Sequence, residues 1–309
     1  MRAFAWFCLL ILVALAAMAA LTYPVWAWLH PLFGFPFHRV ADRIGMLALA
    51  IGFVLLARRL RLADRASLGY GAPLRLFARE LGSGFLLGAP MMALVVAVMV
   101  ALGLREWKAG VRIDAATLLG LARSGILRGF AVALIEETFL RGAMWSGIAR
   151  ESGVRAAVIL TALVYAATHF VGVYHIPAAA ASWGSGLEML AGASRQLAHP
   201  LTIADAYVSL FAIGVVLGMV RALTGNIAAC IGLHAAWVWV ITFVRETSIA
   251  DRASPLTFLV SRFDGVVGWL VLGWTVILGI ALYYFYRRRR TQGDSLPRES
   301  ERLTPPRGG

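Results

Sequence analysis

Two adjacent glutamates in a long apolar stretch are the residues most suited to chemistry. Glu136 and Glu137 lie where the sequence predicts a membrane-spanning helix, and a carboxylate at the centre of such a helix costs about 2.5–3.5 kcal/mol. Arg141 follows Glu137 by four residues, so these two side chains share a helix face and can form an ion pair. Glu136 points about 100° away from that face. Its carboxylate is therefore free for another partner and for proton transfer.

Two histidines in other apolar stretches are candidates for that partner. His169 lies near the end of one predicted helix, and His234 lies inside another. A carboxylate and two imidazoles can activate a water molecule, transfer protons and stabilise developing negative charge. If Glu136, His169 and His234 meet at one depth, they form a candidate hydrolytic site.

The same three side chains also allow a metal-dependent reaction. One glutamate and two histidines are a known ligand set for a catalytic zinc ion, which keeps a further position for water. The chain contains no His-Glu-x-x-His stretch, which excludes the zinc-protease helix of that type. We expect a reaction that requires no cofactor, with zinc bound by Glu136, His169 and His234 as the alternative.

The elements that must position these residues are membrane helices. Of the 309 residues, 60% are hydrophobic and 15% are charged, against roughly 45–50% and 25% in soluble domains. A membrane span needs roughly 20 apolar residues, and the sequence predicts an all-α integral membrane protein with eight spans. They lie near residues 3–29, 40–57, 81–104, 117–145, 154–170, 206–220, 226–244 and 266–286.

The distribution of charge predicts the orientation in the membrane. Basic residues outnumber acidic ones by 29 to 16, and they form short clusters between the apolar stretches rather than a basic soluble domain. Nucleic acid is therefore not an expected partner, whereas the lipid bilayer is. More of the basic residues fall in the segments that lie inside if the N-terminus is cytoplasmic, as the positive-inside rule requires. We expect both termini in the cytoplasm and a location in a bacterial inner membrane.

Composition divides the chain into four parts. Residues 1–115 hold three helices and a basic cytoplasmic loop, and residues 116–245 hold the four helices with the candidate site. Residues 246–286 form an outer loop and the eighth helix. Residues 287–309 are rich in Arg, Pro, Ser and Gly and predict a disordered cytoplasmic tail.

Three motifs in a fixed order resemble a known family. They are Glu136-Glu137-x-x-x-Arg141, Tyr165-x-x-x-His169 and His234. This order resembles the CPBP family of CAAX proteases and bacteriocin-processing enzymes, which includes the type II CAAX prenyl endopeptidases, and the likeness covers roughly residues 117–245. It implies a helical membrane fold with an intramembrane polar cavity open to the cytoplasm. It also implies hydrolysis of a peptide bond in a membrane-embedded or membrane-associated peptide or protein.

The resemblance also implies a role for each site residue. Glu136 corresponds to the general base that activates water, His169 to its partner on that water, and His234 to a group that stabilises the oxyanion. Glu137 and Arg141 correspond to supporting residues.

Two positions depart from the family pattern. Tyr165 stands where the family usually has Phe, and Val238 stands where it often has Asn or Asp. That Asn is an oxyanion donor in the family, and the loss of one such donor costs on the order of 10²–10³ in rate. Val238 therefore leaves open a catalytically silent membrane scaffold of the same fold.

A proton- or ion-coupled transporter is a further alternative, because transporters also use intramembrane carboxylates and histidines. Transporters of this kind commonly contain internal repeats, and the sequence shows none. The sequence therefore favours the intramembrane protease over both alternatives, without identifying its substrate.

Overall fold

The computed structural model describes residues 1–111, 114–171, 174–195 and 197–291, and most of this part of the chain is helical. The α-helices are α1 (Arg2–Phe33), α2 (Phe37–Arg59), α3 (Leu74–Ala101), α4 (Ala115–Glu137), α5 (Trp145–Thr168), α6 (Ser185–Ser194), α7 (Ala204–Thr224), α8 (Ala228–Thr247) and α9 (Trp269–Thr291). A π-helical segment, Thr138–Met144, joins α4 to α5. Two short strands, β1 (Arg105–Trp107) and β2 (Ser248–Ala250), pair antiparallel.

The long helices account for eight membrane crossings in the described part of the chain. Seven continuous helical stretches are long and apolar enough to span a membrane, and one of them, Ala115–Thr168, contains 54 residues. That stretch would measure about 81 Å at 1.5 Å per residue, far more than the roughly 30 Å hydrocarbon core. Gly153 interrupts it with φ 83° and ψ 166°, so the chain bends there and crosses twice. The predicted all-α integral membrane fold is confirmed.

The helix boundaries differ from the prediction in two places. The segment between the predicted fourth and fifth spans is helical as far as Gly153, although Arg150 and Glu151 suggest a loop. Both side chains have partners there: Arg150 donates to Arg61 O over 3.2 Å, and Glu151 accepts from the Met1 amino group over 2.7 Å. The predicted outer loop between α5 and α7 contains the short helix α6, which packs against α1. The greater part of the predicted tail, 292–309, lies outside the described residues.

The helix α8 lies between α3 and α4 and brings its backbone very close to both. A Cβ atom added to Gly232 would lie 2.1 Å from Leu81 O, and one added to Gly129 would lie 2.4 Å from Ala235 O. Small residues at helix interfaces allow membrane helices to gain van der Waals contact. This close packing holds His234, beside Ala235, against the C-terminal half of α4.

Hydrogen bonds hold the loop between α2 and α3 against the π-helical segment and the start of α5. Ser146 donates to Ser67 O over 2.6 Å, and Arg150 donates to the Ser67 hydroxyl. Burial raises the pKa of Asp64, but hydrogen bonds from Ser67 and the nearby charge of Arg150 outweigh it, so the pKa of Asp64 lies below its ordinary value. A Cβ at Gly142 would lie 2.7 Å from Leu68 O. The loop therefore supports the segment that carries Arg141.

Candidate active site

A buried ion pair lies where α4 ends and the π-helical segment begins. Arg141 Nη1 donates to Glu137 Oε1 over 2.9 Å, and both side chains are 0% exposed, as the four-residue spacing predicts. Arg141 Nη2 also donates to Gly214 O over 3.2 Å. The guanidinium carbon lies 4.7 Å from the centre of the Tyr165 ring, which adds a cation–π contact. Such further contacts are what allow a charge pair to remain buried.

Glu137 has a second partner that the spacing does not predict. His234 Nδ1 lies 2.8 Å from Glu137 Oε1. Since Glu137 is paired with Arg141, its carboxylate acts as an acceptor, and the hydrogen-bond pattern assigns a proton to His234 Nδ1. The other ring nitrogen, Nε2, lies 3.9 Å from Glu136 Oε2. His234 is therefore held between the two glutamates, with Nε2 directed to Glu136.

Glu136 and Glu137 have different surroundings, as their positions on the helix predict. The Glu136 side chain is 34% exposed, whereas that of Glu137 is completely buried. The preceding residue, Ile135, is 65% exposed and lies on the surface of the bundle. Glu136 therefore lies at the edge between the bundle surface and its interior, where its carboxylate can meet both His234 and an incoming molecule.

His169 lies beside the same cluster, next to Tyr165. The Tyr165 ring centre is 4.5 Å from the His169 ring and 5.9 Å from the His234 ring. His169 Nδ1 lies 2.7 Å from Tyr165 O; because a carbonyl only accepts, Nδ1 carries a proton and Nε2 of the neutral ring is an acceptor. His169 is within electrostatic range of both Glu136 and His234. The two histidines thus lie on either side of Tyr165, and Glu136 lies beside His234.

The bend at Gly153 explains how Glu136 and His169 can lie at similar depths in the membrane. The two residues are almost equally far from Gly153 along the chain. At 1.5 Å per residue, each lies about 25 Å from the bend along its helix. Two helices that leave the same bend therefore carry the carboxylate and the imidazole to similar depths in the membrane.

Val238 lies one helical turn beyond His234 on α8 and is half-buried. Residues four apart share a helix face, so Val238 extends the surface on which His234 lies. Its side chain has no hydrogen-bond donor. The position at which Val238 replaces the Asn or Asp of the family pattern therefore lies beside the candidate site.

Binding of zinc by Glu136, His169 and His234 stays a prediction. Within the described part of the chain, which includes Glu136, His169 and His234, no three His, Cys, Asp or Glu side chains are placed to hold one metal ion. Tyr165 lies beside both histidines.

Arg221 is a supporting residue that sequence reasoning misses. A basic residue at the end of an apolar helix predicts an anchor at the membrane boundary, yet Arg221 is fully buried in the last turn of α7. Its Nε donates to Arg141 O over 3.1 Å, and its guanidinium lies 4.5 Å from the centre of the Trp145 ring. The only signal in the sequence is that no other Lys or Arg occurs between 204 and 244.

Comparison with known proteins identifies the segment that carries this site. Residues 118–240 match the protein family described as Type II CAAX prenyl endopeptidase Rce1-like. No curated protein and no solved structure matches the chain. The family segment begins just inside α4 and ends within α8, and it contains all three candidate residues. The resemblance found in the motifs is confirmed over this segment.

Proposed function

On the premise that residues 118–240 are an Rce1-like domain of the CAAX-type family of membrane proteases, we propose that the protein is an intramembrane endopeptidase. It hydrolyses a peptide bond with a water molecule that Glu136 activates. The observation that supports the proposal is that Glu136 Oε2 lies 3.9 Å from His234 Nε2, while the rings of His234 and His169 both pack beside Tyr165. His234 is buried and the other two residues are half-buried, and ionisable side chains within membrane helices are costly unless they have a function.

The tautomer of His169 supports a specific position for the water. Because Nδ1 donates to Tyr165 O, Nε2 of the neutral ring accepts. A water molecule that donates one hydrogen to Glu136 and the other to His169 Nε2 directs a lone pair away from both groups. That lone pair attacks the carbonyl carbon of the substrate. Glu136 takes the water proton as the C–O bond forms and delivers it to the leaving nitrogen as the C–N bond breaks.

His234 is assigned to the oxyanion in this proposal. With Nδ1 donating to Glu137, the neutral ring has only a lone pair at Nε2. Donation to an oxyanion therefore uses the doubly protonated ring, whose positive charge lies between the carboxylates of Glu136 and Glu137. Glu137 and Arg141 act as positioning residues, since they hold His234 without contacting the substrate.

The exposure of Glu136 supports a substrate that is itself associated with the membrane. Its carboxylate lies beside the exposed apolar side chain of Ile135 on the bundle surface. A peptide segment in the bilayer can approach this edge, whereas a folded soluble domain cannot enter it. We therefore propose a membrane-embedded or membrane-associated peptide or protein as substrate.

Val238 favours a second candidate function, a catalytically silent membrane scaffold with the same fold. The loss of one hydrogen-bond donor to the oxyanion raises the activation barrier of hydrolysis by about 2.7–4 kcal/mol. The scaffold retains the buried Glu137–Arg141–His234 network for stability but cleaves no peptide bond.

Proteolysis of a membrane-peptide library distinguishes the two functions. Purified wild-type protein in detergent and its Glu136→Ala variant are incubated with the library, and new peptide termini are identified by mass spectrometry. Glu246→Ala serves as a matched control, because Glu246 is an exposed carboxylate on α8. We expect products from the wild type and Glu246→Ala, with or without a metal chelator, and none from Glu136→Ala. Products that persist in Glu136→Ala contradict the proposed base, and an inactive wild type favours the scaffold.

A further inference from the structure

A separate charged cavity lies at the end of the bundle opposite the α2–α3 loop, where α3 and α8 end. Its volume is about 630 Å³. Four cationic side chains and one carboxylate line it: Arg105, Lys108, Arg245, Arg252 and Asp264. This cavity lies outside the group formed by Glu136, His169 and His234, and the proposed hydrolysis uses none of its residues.

Arg105 is the buried base of the cavity and is rigidly held. Its Nε donates to Ser248 Oγ over 2.9 Å, its Nη1 to Gly265 O over 2.8 Å and its Nη2 to Ser248 O over 3.0 Å. Burial lowers its pKa below the ordinary value; Asp264 acts in the opposite direction, while Arg245 and Arg252 lower it further. The three guanidinium groups therefore lie within electrostatic range of one another.

One carboxylate cannot offset this positive charge. Arg245 donates to Asp264 over 2.9 Å, which accounts for the single acidic group. Lys108 donates to the backbone oxygen of Arg245, and Arg252 is exposed, with one donor 3.4 Å from Ser261 O. The cavity wall therefore has an excess of positive charge and N–H donors, which an anion inside the cavity would offset.

The surroundings of the cavity correspond to the membrane boundary. Trp107 on β1, Ile249 on β2 and Trp269 at the start of α9 are all exposed. Tryptophan is enriched at the level of lipid headgroups, and these exposed side chains lie at the ends of membrane-spanning helices. An anion held by a lipid is thus available at this level.

We propose that this cavity binds the phosphate of an anionic phospholipid headgroup. The acyl chains lie along the apolar surface of the neighbouring helices. The headgroup phosphate contacts Lys108, Arg252 and the edge of the Arg105 guanidinium that lines the cavity. Binding of the headgroup also stabilises the residues that line the cavity. Phe263 lines the cavity, and its ring centre lies 4.6 Å from that of Phe170, the residue that follows His169.

Thermal unfolding in detergent tests the proposal with defined lipids. Ligands that bind only the folded state raise the unfolding temperature. We expect phosphatidylglycerol to raise it by several degrees, with a smaller effect at high salt. Zwitterionic phosphatidylcholine is expected to have little effect. Inorganic phosphate at millimolar concentration is the third probe, and a rise equal to that with phosphatidylglycerol contradicts a lipid source for the anion.

Variants of the residues that line the cavity test whether the effect of phosphatidylglycerol on the unfolding temperature arises there. The double variant Lys108→Gln, Arg252→Gln should lose most of the difference between the two lipids, whereas Arg39→Gln, which changes an exposed arginine at the start of α2, should keep it. If the double variant does not fold, Arg252→Gln alone should weaken the retention of phosphatidylglycerol in native mass spectrometry, and Arg252→Lys should restore it. Equal shifts with both lipids in the wild type, or equal losses in Arg39→Gln, overturn the proposal.

Discussion

Glu137 accepts hydrogen bonds from both Arg141 and His234 and is excluded from solvent. Glu137→Gln removes the charge that offsets Arg141, and breaking a buried pair in this way costs about 3–5 kcal/mol. We expect a lower yield of folded protein and a lower unfolding temperature, measured by size-exclusion chromatography and thermal melts in detergent. Glu246→Gln is the control, since its carboxylate faces Arg128 at 3.8 Å on the exposed surface, where a pair contributes about 0–1 kcal/mol. Equal losses in both variants would show that the buried network does not stabilise the fold.

Val238 leads to a prediction about activity. Val238→Asn adds a hydrogen-bond donor on the face of α8 that carries His234. If a tetrahedral intermediate forms beside His234, the added donor should maintain or increase kcat on a cleaved peptide. Val238→Leu, which adds no donor, should not increase it. A strong loss of kcat in folded Val238→Asn protein would place the oxyanion elsewhere.

The chemistry of single residues is partly visible in the sequence. The spacing of Glu137 and Arg141 predicts their ion pair because both partners lie on one helix. The contact between Glu137 and His234 joins residues 97 positions apart, and it depends on how closely α4 packs on α8. From its position in the sequence, Arg221 is expected at the membrane boundary. Only the packing of α7 reveals its contact with Arg141 O.

At the level of helices, close contact between α4 and α8 brings the glutamates to His234. Gly129→Ala would place a Cβ 2.4 Å from the backbone oxygen of Ala235, so the two helices must separate. Overpacking of this kind costs typically 1–3 kcal/mol. We expect a lower unfolding temperature and a lower kcat. The control Gly120→Ala lies on the same helix, where the space beside the glycine is open, and should change neither quantity.

The helices themselves are largely predictable, because runs of about 20 apolar residues have few alternatives to a membrane span. Two elements are not. The π-helical segment Thr138–Met144 has no distinctive composition, and it depends on contacts such as the approach of Leu68 O to Gly142. The helix α6 is only 10 residues long, too short for the span criterion, and it is located by its packing on α1.

At the level of the whole molecule, the distribution of basic residues predicts the orientation. Reporter fusions after Arg65 and after Arg290 should be cytoplasmic, and fusions near Lys108 and Arg195 should be external. The described bundle has the number of crossings that this orientation requires. Five crossings separate Arg195 from the N-terminus in the described bundle, so a cytoplasmic signal near Arg195 would contradict this topology, and it would move the anion cavity to the inner face.

The division of the chain into four parts stays a compositional prediction. The Rce1-like segment does not pack alone: α3 lies along α8, and the Phe7 ring of α1 lies 5.5 Å from Phe139 in the π-helical segment. We therefore expect the first three helices to be needed for a folded site.

The central claim, that Glu136, His169 and His234 act as one catalytic unit, is tested most directly by a mutant cycle on a cleaved peptide. The single variants Glu136→Gln, His169→Gln and His234→Gln are compared with their pairs, and rates are expressed per folded molecule. Residues that act as a unit are strongly non-additive. We predict that each single change lowers kcat on the order of 10²-fold or more, that the pairs are no slower than the worse single variant, and that the exposed control His199→Gln matches the wild type. Near-normal cleavage by folded Glu136→Gln, or losses that multiply in the pairs, would contradict the account.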